Sequence, residues 1–155
     1  MNKMRYEKTG VLTIKNLRLP PPHALRRGVA ISECIEYIPC NPCVDACPFH
    51  AITMNDMNAP PEIDYEKCTG CTKCIAICPG LALFVVQINS TAKITLPYEF
   101  LPIPKVGDMV TALDRQGKRR DKAKVLKVQK RDKCSLITIE AKKGLGMEIR
   151  NILIE

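Results

Sequence analysis

The sequence predicts an α+β chain in two unequal parts. Short helices and small antiparallel sheets surround a set of cysteine loops, and a small, mostly-β module follows. Three observations predict this. Two cysteine runs, each closed by Cys-Pro, are each followed by β-forming residues. Aromatic residues make up only 5% of the chain and Trp is absent, so a large aromatic core is not expected and metal–sulfur bonds are the natural staples of so thin a core. Beyond residue 95 the cysteine runs give way to short, alternating, Lys-rich segments, the pattern of exposed antiparallel strands.

Cys68-Thr-Gly-Cys71-Thr-Lys-Cys74-Ile-Ala-Ile-Cys78-Pro79 reads C-x2-C-x2-C-x3-C-P without a gap. Three thiolates at that spacing reach three corners of one iron–sulfur cube. The fourth, turned outwards by its proline, ligates the other cluster of a pair. A second run must therefore exist, and Cys34-x5-Cys40-x2-Cys43-x3-Cys47-Pro48 supplies it. By this cross-over rule Cys34, Cys40, Cys43 and Cys78 hold the first 4Fe–4S cluster, and Cys68, Cys71, Cys74 and Cys47 the second. The x5 spacing adds three residues to the usual loop. It leaves open a first cluster of three irons, or one with another fourth ligand in place of Cys34. Val44, Ala46, Ile75, Ile77 and Leu81 are the candidate water shields around the clusters.

Zinc is the rival cofactor, but structural zinc asks for four ligands, usually in two C-x2-C knuckles. The C-x3-C-x2-C order of radical-generating enzymes is absent. A full set of eight ligands needs no open iron, so electron transfer is expected and catalysis by this chain alone is not. Cys134 stands apart from both runs and reads as a buried structural thiol. His23, beside prolines, and His50, after Pro48-Phe49, read as surface residues and not ligands.

In chain order, residues 1–27 form an extension. Gly10–Lys15 reads as a strand and Pro20-Pro21-Pro22 as an extended connector. Residues 28–94 form the cluster domain. Its elements are a strand over Gly28–Glu33, a helical turn over Cys43–Cys47, a return strand over Phe49–Met54, a turn over Asn55–Pro61, and a strand over Leu81–Ile88. Residues 95–155 form the β module, assigned to subunit docking. Pro97, Pro102 and Pro104 mark its linker, and strands follow over Lys105–Leu113, Ala123–Gln129 and Cys134–Glu140. Glu148–Ile154 is a last helix or strand.

The formal net charge is +8. Two oxidised clusters, each about −2 with its thiolates, would lower it to roughly +4. Residues 101–155 carry 14 Lys and Arg against 7 Asp and Glu, whereas residues 1–100 carry 10 against 9. Arg115, Lys118, Arg119, Arg120, Lys122, Lys124, Lys127, Lys130 and Arg131 are the basic run. Without aromatic residues to stack bases, it argues for a solvated face or an acidic subunit rather than nucleic acid. No apolar stretch is long enough to span a bilayer. The start lacks a signal-peptide core, so reduced thiolates in the cytoplasm are expected.

Residues 28–90 resemble the bacterial dicluster ferredoxin fold, on the paired Cys-Pro runs. The whole chain is similar to the ferredoxin-like small subunit of flavin-dependent amino-acid or amine dehydrogenase complexes of the hydroxyproline, proline or opine type. Glu33-Cys-Ile-Glu-Tyr-Ile-Pro-Cys-Asn-Pro-Cys43, Pro97-Tyr-Glu-Phe-Leu-Pro102 and Gly107-Asp108 carry that resemblance. It implies a flavoprotein dehydrogenase partner whose FAD or FMN passes electrons to this chain, with a further iron–sulfur subunit as a second candidate partner. The chain itself holds no G-x-G-x-x-G stretch for a dinucleotide. A freely diffusing soluble ferredoxin, or a redox-sensing nucleic-acid binder using the basic run, are the alternatives.

Overall fold

The computed structural model describes residues 3–132 and 134–155. A helix, α1 (Lys3–Thr9), opens the chain. The Gly10 N–H donates to the Tyr6 carbonyl at 2.7 Å and leaves the helix through a left-handed φ of 71°. The strand expected over Gly10–Lys15 does not form. Thr13 and Asn16 instead bond to one another through the Asn16 Oδ1 atom, at 2.8 Å from the Thr13 N–H and 3.0 Å from its hydroxyl, and a 3-10 turn results over Ile14–Asn16. Local side-chain bonds of this kind compete with a ladder. Pro20 is buried and Pro22 is the first residue of α2 (Pro22–Arg27), where its missing N–H costs nothing. The triple proline is therefore a rigid approach to a helix.

Among the described residues nine strands follow the extension. β1 (Val29–Ser32) comes first, then α3 (Pro42–Ala46), β2 (Ile52–Thr53), β3 (Glu62–Ile63) and α4 (Lys73–Ile77). β4 (Leu83–Ile88), β5 (Ala92–Tyr98), β6 (Met109–Asp114), β7 (Arg119–Lys130), β8 (Ser135–Ala141) and β9 (Ile149–Leu153) complete the chain. β2 and β3 pair as a small ribbon, so the return strand over Phe49–Met54 shrinks to two residues. The other seven strands form one sheet in the order β1-β4-β5-β8-β7-β6-β9, antiparallel at each pairing.

β5 is the element the proline-rich composition hid. It straddles the boundary expected between residues 94 and 95, and joins β4 of the cluster region to β8 of the β module. Pro97 is tolerated because the β4 pairing stops at Val85↔Thr95. Past Thr95 only β8 remains beside β5, and an edge position needs no N–H on its open side. One apolar core runs through both regions, from Val29, Ile31, Ile75 and Leu83 to Ile94, Leu136, Ile139 and Ile149. The sheet curls back on itself, bringing its edge strand β9 close to β5 and Arg150 of β9 over the Phe84 ring of β4 at 5.1 Å.

The extension is fastened to the second cysteine loop. The Tyr65 hydroxyl donates to the Arg18 carbonyl at 2.6 Å, and the Arg18 guanidinium lies 5.4 Å from the Tyr65 ring centre. Arg27 donates to the Tyr65 carbonyl, and His23 pairs with Glu66 at 2.6 Å on the surface.

Candidate metal centre

The two cysteine runs fold as copies of one unit, at a constant offset of 31 residues from Cys43 to Cys74 and from Cys47 to Cys78. α3 and α4 are equivalent five-residue helices. Each ends in a Cys-Pro turn, and the third residue after each cysteine, His50 or Leu81, takes a φ of 52°. Four residues past each cysteine a backbone N–H reaches back to it. Ala51 donates to Cys47 Sγ at 3.4 Å and Ala82 to Cys78 Sγ at 3.5 Å. The pairing of β2 with β3, Ile52↔Ile63 and Thr53↔Glu62, repeats as Leu83↔Ser32 and Phe84↔Ile31 between β4 and β1. The register thus carries a pseudo-two-fold relation that the cysteine spacing alone could only suggest.

This pairing sets the thiols into two groups. Cys34 is near enough to Cys78 and Cys40 to feel their charge, and Cys43 feels Cys78, Cys34 and Cys40. Cys47, Cys68, Cys71 and Cys74 line one narrow pocket with Ala30, Ile52, Gly70 and Val85. The groups adjoin, since Cys43 also bears on Cys74. Burial pushes the Cys43 thiol up to about 11 and the Cys74 thiol up to about 12, and the neighbouring cysteines add to both. Burial raises Cys34 too, against the pull of the Glu36 N–H. Thiols raised in this way favour the protonated form, and coordination to a metal would release the proton.

The donor set fits 4Fe–4S clusters. Eight thiols stand in two adjoining groups, with backbone N–H groups aimed at three of the sulfurs. The third donor is Ala30, 3.2 Å from Cys68 Sγ. It lies on the edge strand β1, whose outer N–H groups have no ladder partner and are free to stabilise a sulfur. Among the described residues no three His, Cys, Asp or Glu side chains are set to hold a single metal ion. Residues 33–82 match the 4Fe-4S dicluster domain.

That domain accounts for about a third of the chain. Over 46 residues the chain is 48% identical to a component of an ion-translocating oxidoreductase complex of Methanosarcina acetivorans, covering 30% of this chain and 17% of that protein. Over 53 residues it is 32% identical to the polyferredoxin-like subunit of an aliphatic sulfonate oxidoreductase of Pyrococcus furiosus, covering 34% of this chain and 31% of that protein. The chain therefore spans under a third of the length of these relatives. No solved structure matches it significantly.

The shields expected around the clusters divide. Ile75 is fully buried and Val44 packs on the core, but Ile77 is 38% exposed, because α4 is a single turn with only one face inward. Cys134 is buried at the start of the β8 region and lies near enough to Cys78 to feel its charge. His50 is exposed on its turn. Much of the basic run is paired within the chain: Arg119 and Lys122 with Glu155, Arg120 with Asp114, and Arg115 with Glu33. No helix among the described residues is long and apolar enough to cross a membrane. The larger cleft, about 440 Å³ between α2 and the β4–β5 turn, touches no cysteine.

Sequence reasoning missed Gly28 with Gly70, and it missed Glu33 with Arg150. A Cβ on Gly70 would stand 2.9 Å from the Gly28 carbonyl oxygen. The only local signal was a glycine inside a cysteine loop.

Proposed function

We propose that this chain is an electron-transfer subunit holding two 4Fe–4S clusters, which relays electrons from a flavin in a partner dehydrogenase. The observation that supports the reading is that Cys78, from the second run, lies near enough to Cys34 and Cys43 of the first for its charge to bear on both, as that of Cys40 does. The ligand sets are those of the cross-over rule, Cys34, Cys40, Cys43 and Cys78, then Cys68, Cys71, Cys74 and Cys47. Bound there, the clusters supply one-electron storage. The chain's own residues hold the thiolates, keep water away through Ile75 and Ile52, and aim the Ala30, Ala51 and Ala82 N–H groups at sulfur, which favours added negative charge.

The named relatives are components of oxidoreductases, which supports a place in a complex. The flavin partner, FAD or FMN, and the amino-acid or amine substrate rest on the resemblance of Glu33–Cys43 and Pro97–Pro102. Phe100 and Leu101, 63% and 84% exposed within the second of these segments, are the residues of the 95–155 region to which we assign docking.

Two measurements test the reading. Chain purified without oxygen should carry about eight irons and almost no zinc; four irons, or stoichiometric zinc, would remove the two-cluster assignment. Isolated from its native source, it should co-elute with a flavoprotein, and Phe100→Ser with Leu101→Ser should lose that partner while keeping the iron. Elution alone, with full iron, would leave the freely diffusing ferredoxin as the better account.

A further inference from the structure

Glu33, the residue before Cys34, has a buried side chain that cluster ligation does not use. Its carboxylate is gripped by two guanidinium groups. Arg115 donates from Nε to Oε1 at 2.5 Å and from Nη2 to Oε2 at 3.4 Å, and Arg150 donates from Nε to Oε2. The three side chains are 8%, 9% and 5% exposed. Arg150 is fixed in turn, donating to the Gly146 and Ile149 carbonyls at 3.1 and 2.6 Å and stacking on Phe84.

A buried ion pair is poor evidence of stabilisation, since apolar residues of the same volume often serve as well. Its surer use is to specify geometry. Here it joins the two ends of the sheet, because Glu33 follows β1 while Arg150 lies in β9. Both arginines lie outside the residues that match the dicluster domain. The backbone continues the connection. The Glu33 N–H donates to the Ala82 carbonyl at 2.8 Å, and the Ala82 N–H donates to Cys78 Sγ. Glu33 thus adjoins Cys34 through one peptide bond and Cys78 through one residue. No thiol of the Cys47, Cys68, Cys71 and Cys74 group takes part in this run of bonds.

We infer that Glu33 is a positioning residue for the first cluster: held between Arg115 and Arg150, it fixes the Cys34 and Cys78 thiolates, so that the C-terminal strands set the geometry of that cluster and not of the second. The inference rests on the two-cluster reading above.

The test uses the full chain prepared without oxygen, with iron content and electron paramagnetic resonance of the reduced protein as readouts. The wild-type iron count comes first. A count far from eight removes the two-cluster reading, and this inference with it, before any variant enters. With that count in hand, Glu33→Gln keeps the volume and removes the charge. Its first-cluster signal should shift or vanish and its iron should fall towards about four per chain, the second-cluster signal staying as in wild type. Arg115→Lys and Arg150→Lys keep a charge but lose the planar fork. They should keep the iron and shift the first-cluster signal alone. Equal damage to both signals would mean a merely structural ion pair and would overturn the inference, as would wild-type spectra in all three variants. If Glu33→Gln does not accumulate as folded protein, the two lysine variants decide the matter by the same signals.

Discussion

A side chain on Gly70 meets two obstacles at once. Its φ of 71° is left-handed, and its Cβ would face the Gly28 carbonyl oxygen at 2.9 Å and the carbonyl carbon at 3.2 Å, both backbone atoms. Gly70 lies between Cys68 and Cys71, and Gly28 leads into β1, whose Ala30 N–H meets Cys68. Gly70→Ala should therefore push the second cysteine loop away from β1. The expected outcome is a chain that keeps the first cluster and loses or weakens the second, read as a fall towards about four irons per chain with one resonance signal intact. Unaltered spectra would show that the loop gives way without cost. The cysteines themselves were legible because ligand spacing is a local pattern. The Gly28–Gly70 contact was not, since it depends on two segments meeting across the fold. The Glu33, Arg115 and Arg150 cluster escaped for the same reason, its members being spread from residue 33 to residue 150.

Among the elements, the strands nearest the expectation were short runs rich in apolar and β-branched residues. β1 and β4 fall inside their expected bounds, and β8 starts one residue past Cys134. β5 was not legible, because Pro97 carries the composition of a linker and only the short β4 pairing makes it acceptable. The expected strand over Gly10–Lys15 failed in the opposite direction, as β-forming residues were overruled by the Thr13–Asn16 bonds. β8 lies between β5 and β7, and its Ile139 is fully buried opposite Ile94 and Val125. Ile139→Ala should cost about 2–5 kcal/mol from lost burial and the cavity left behind. Denaturant titration should show a lower midpoint, with cluster absorbance lost in the same transition because one sheet spans both regions. Two separate transitions would show that the β module unfolds by itself.

At the scale of the molecule, the continuous sheet changes how a docking role can be tested. Removing residues 105–155 would take away β6 to β9, leaving β5 without β8 and Glu33 without both arginines. Such a truncation should lose stability and the first cluster together, whatever binds there. Surface substitutions at Phe100 and Leu101 are the cleaner probe. Of the acids paired with residues 101–155, Asp114, Asp121 and Glu155 are already counted in that segment's balance, and Glu33, held by Arg115 and Arg150, is the partner that comes from outside it. The net charge left to attract an acidic partner, or nucleic acid, therefore stays close to the bare count.

The central claim is that the two runs exchange their last cysteine, and Cys78→Ala tests it most directly. The variant, prepared without oxygen and reduced, should show the second cluster's resonance unchanged and the first cluster lost or converted to a three-iron form, although the first cluster's other ligands lie at Cys34, Cys40 and Cys43. Loss of the second cluster with the first intact would mean that Cys78 serves its own run, and the crossed assignment would be wrong.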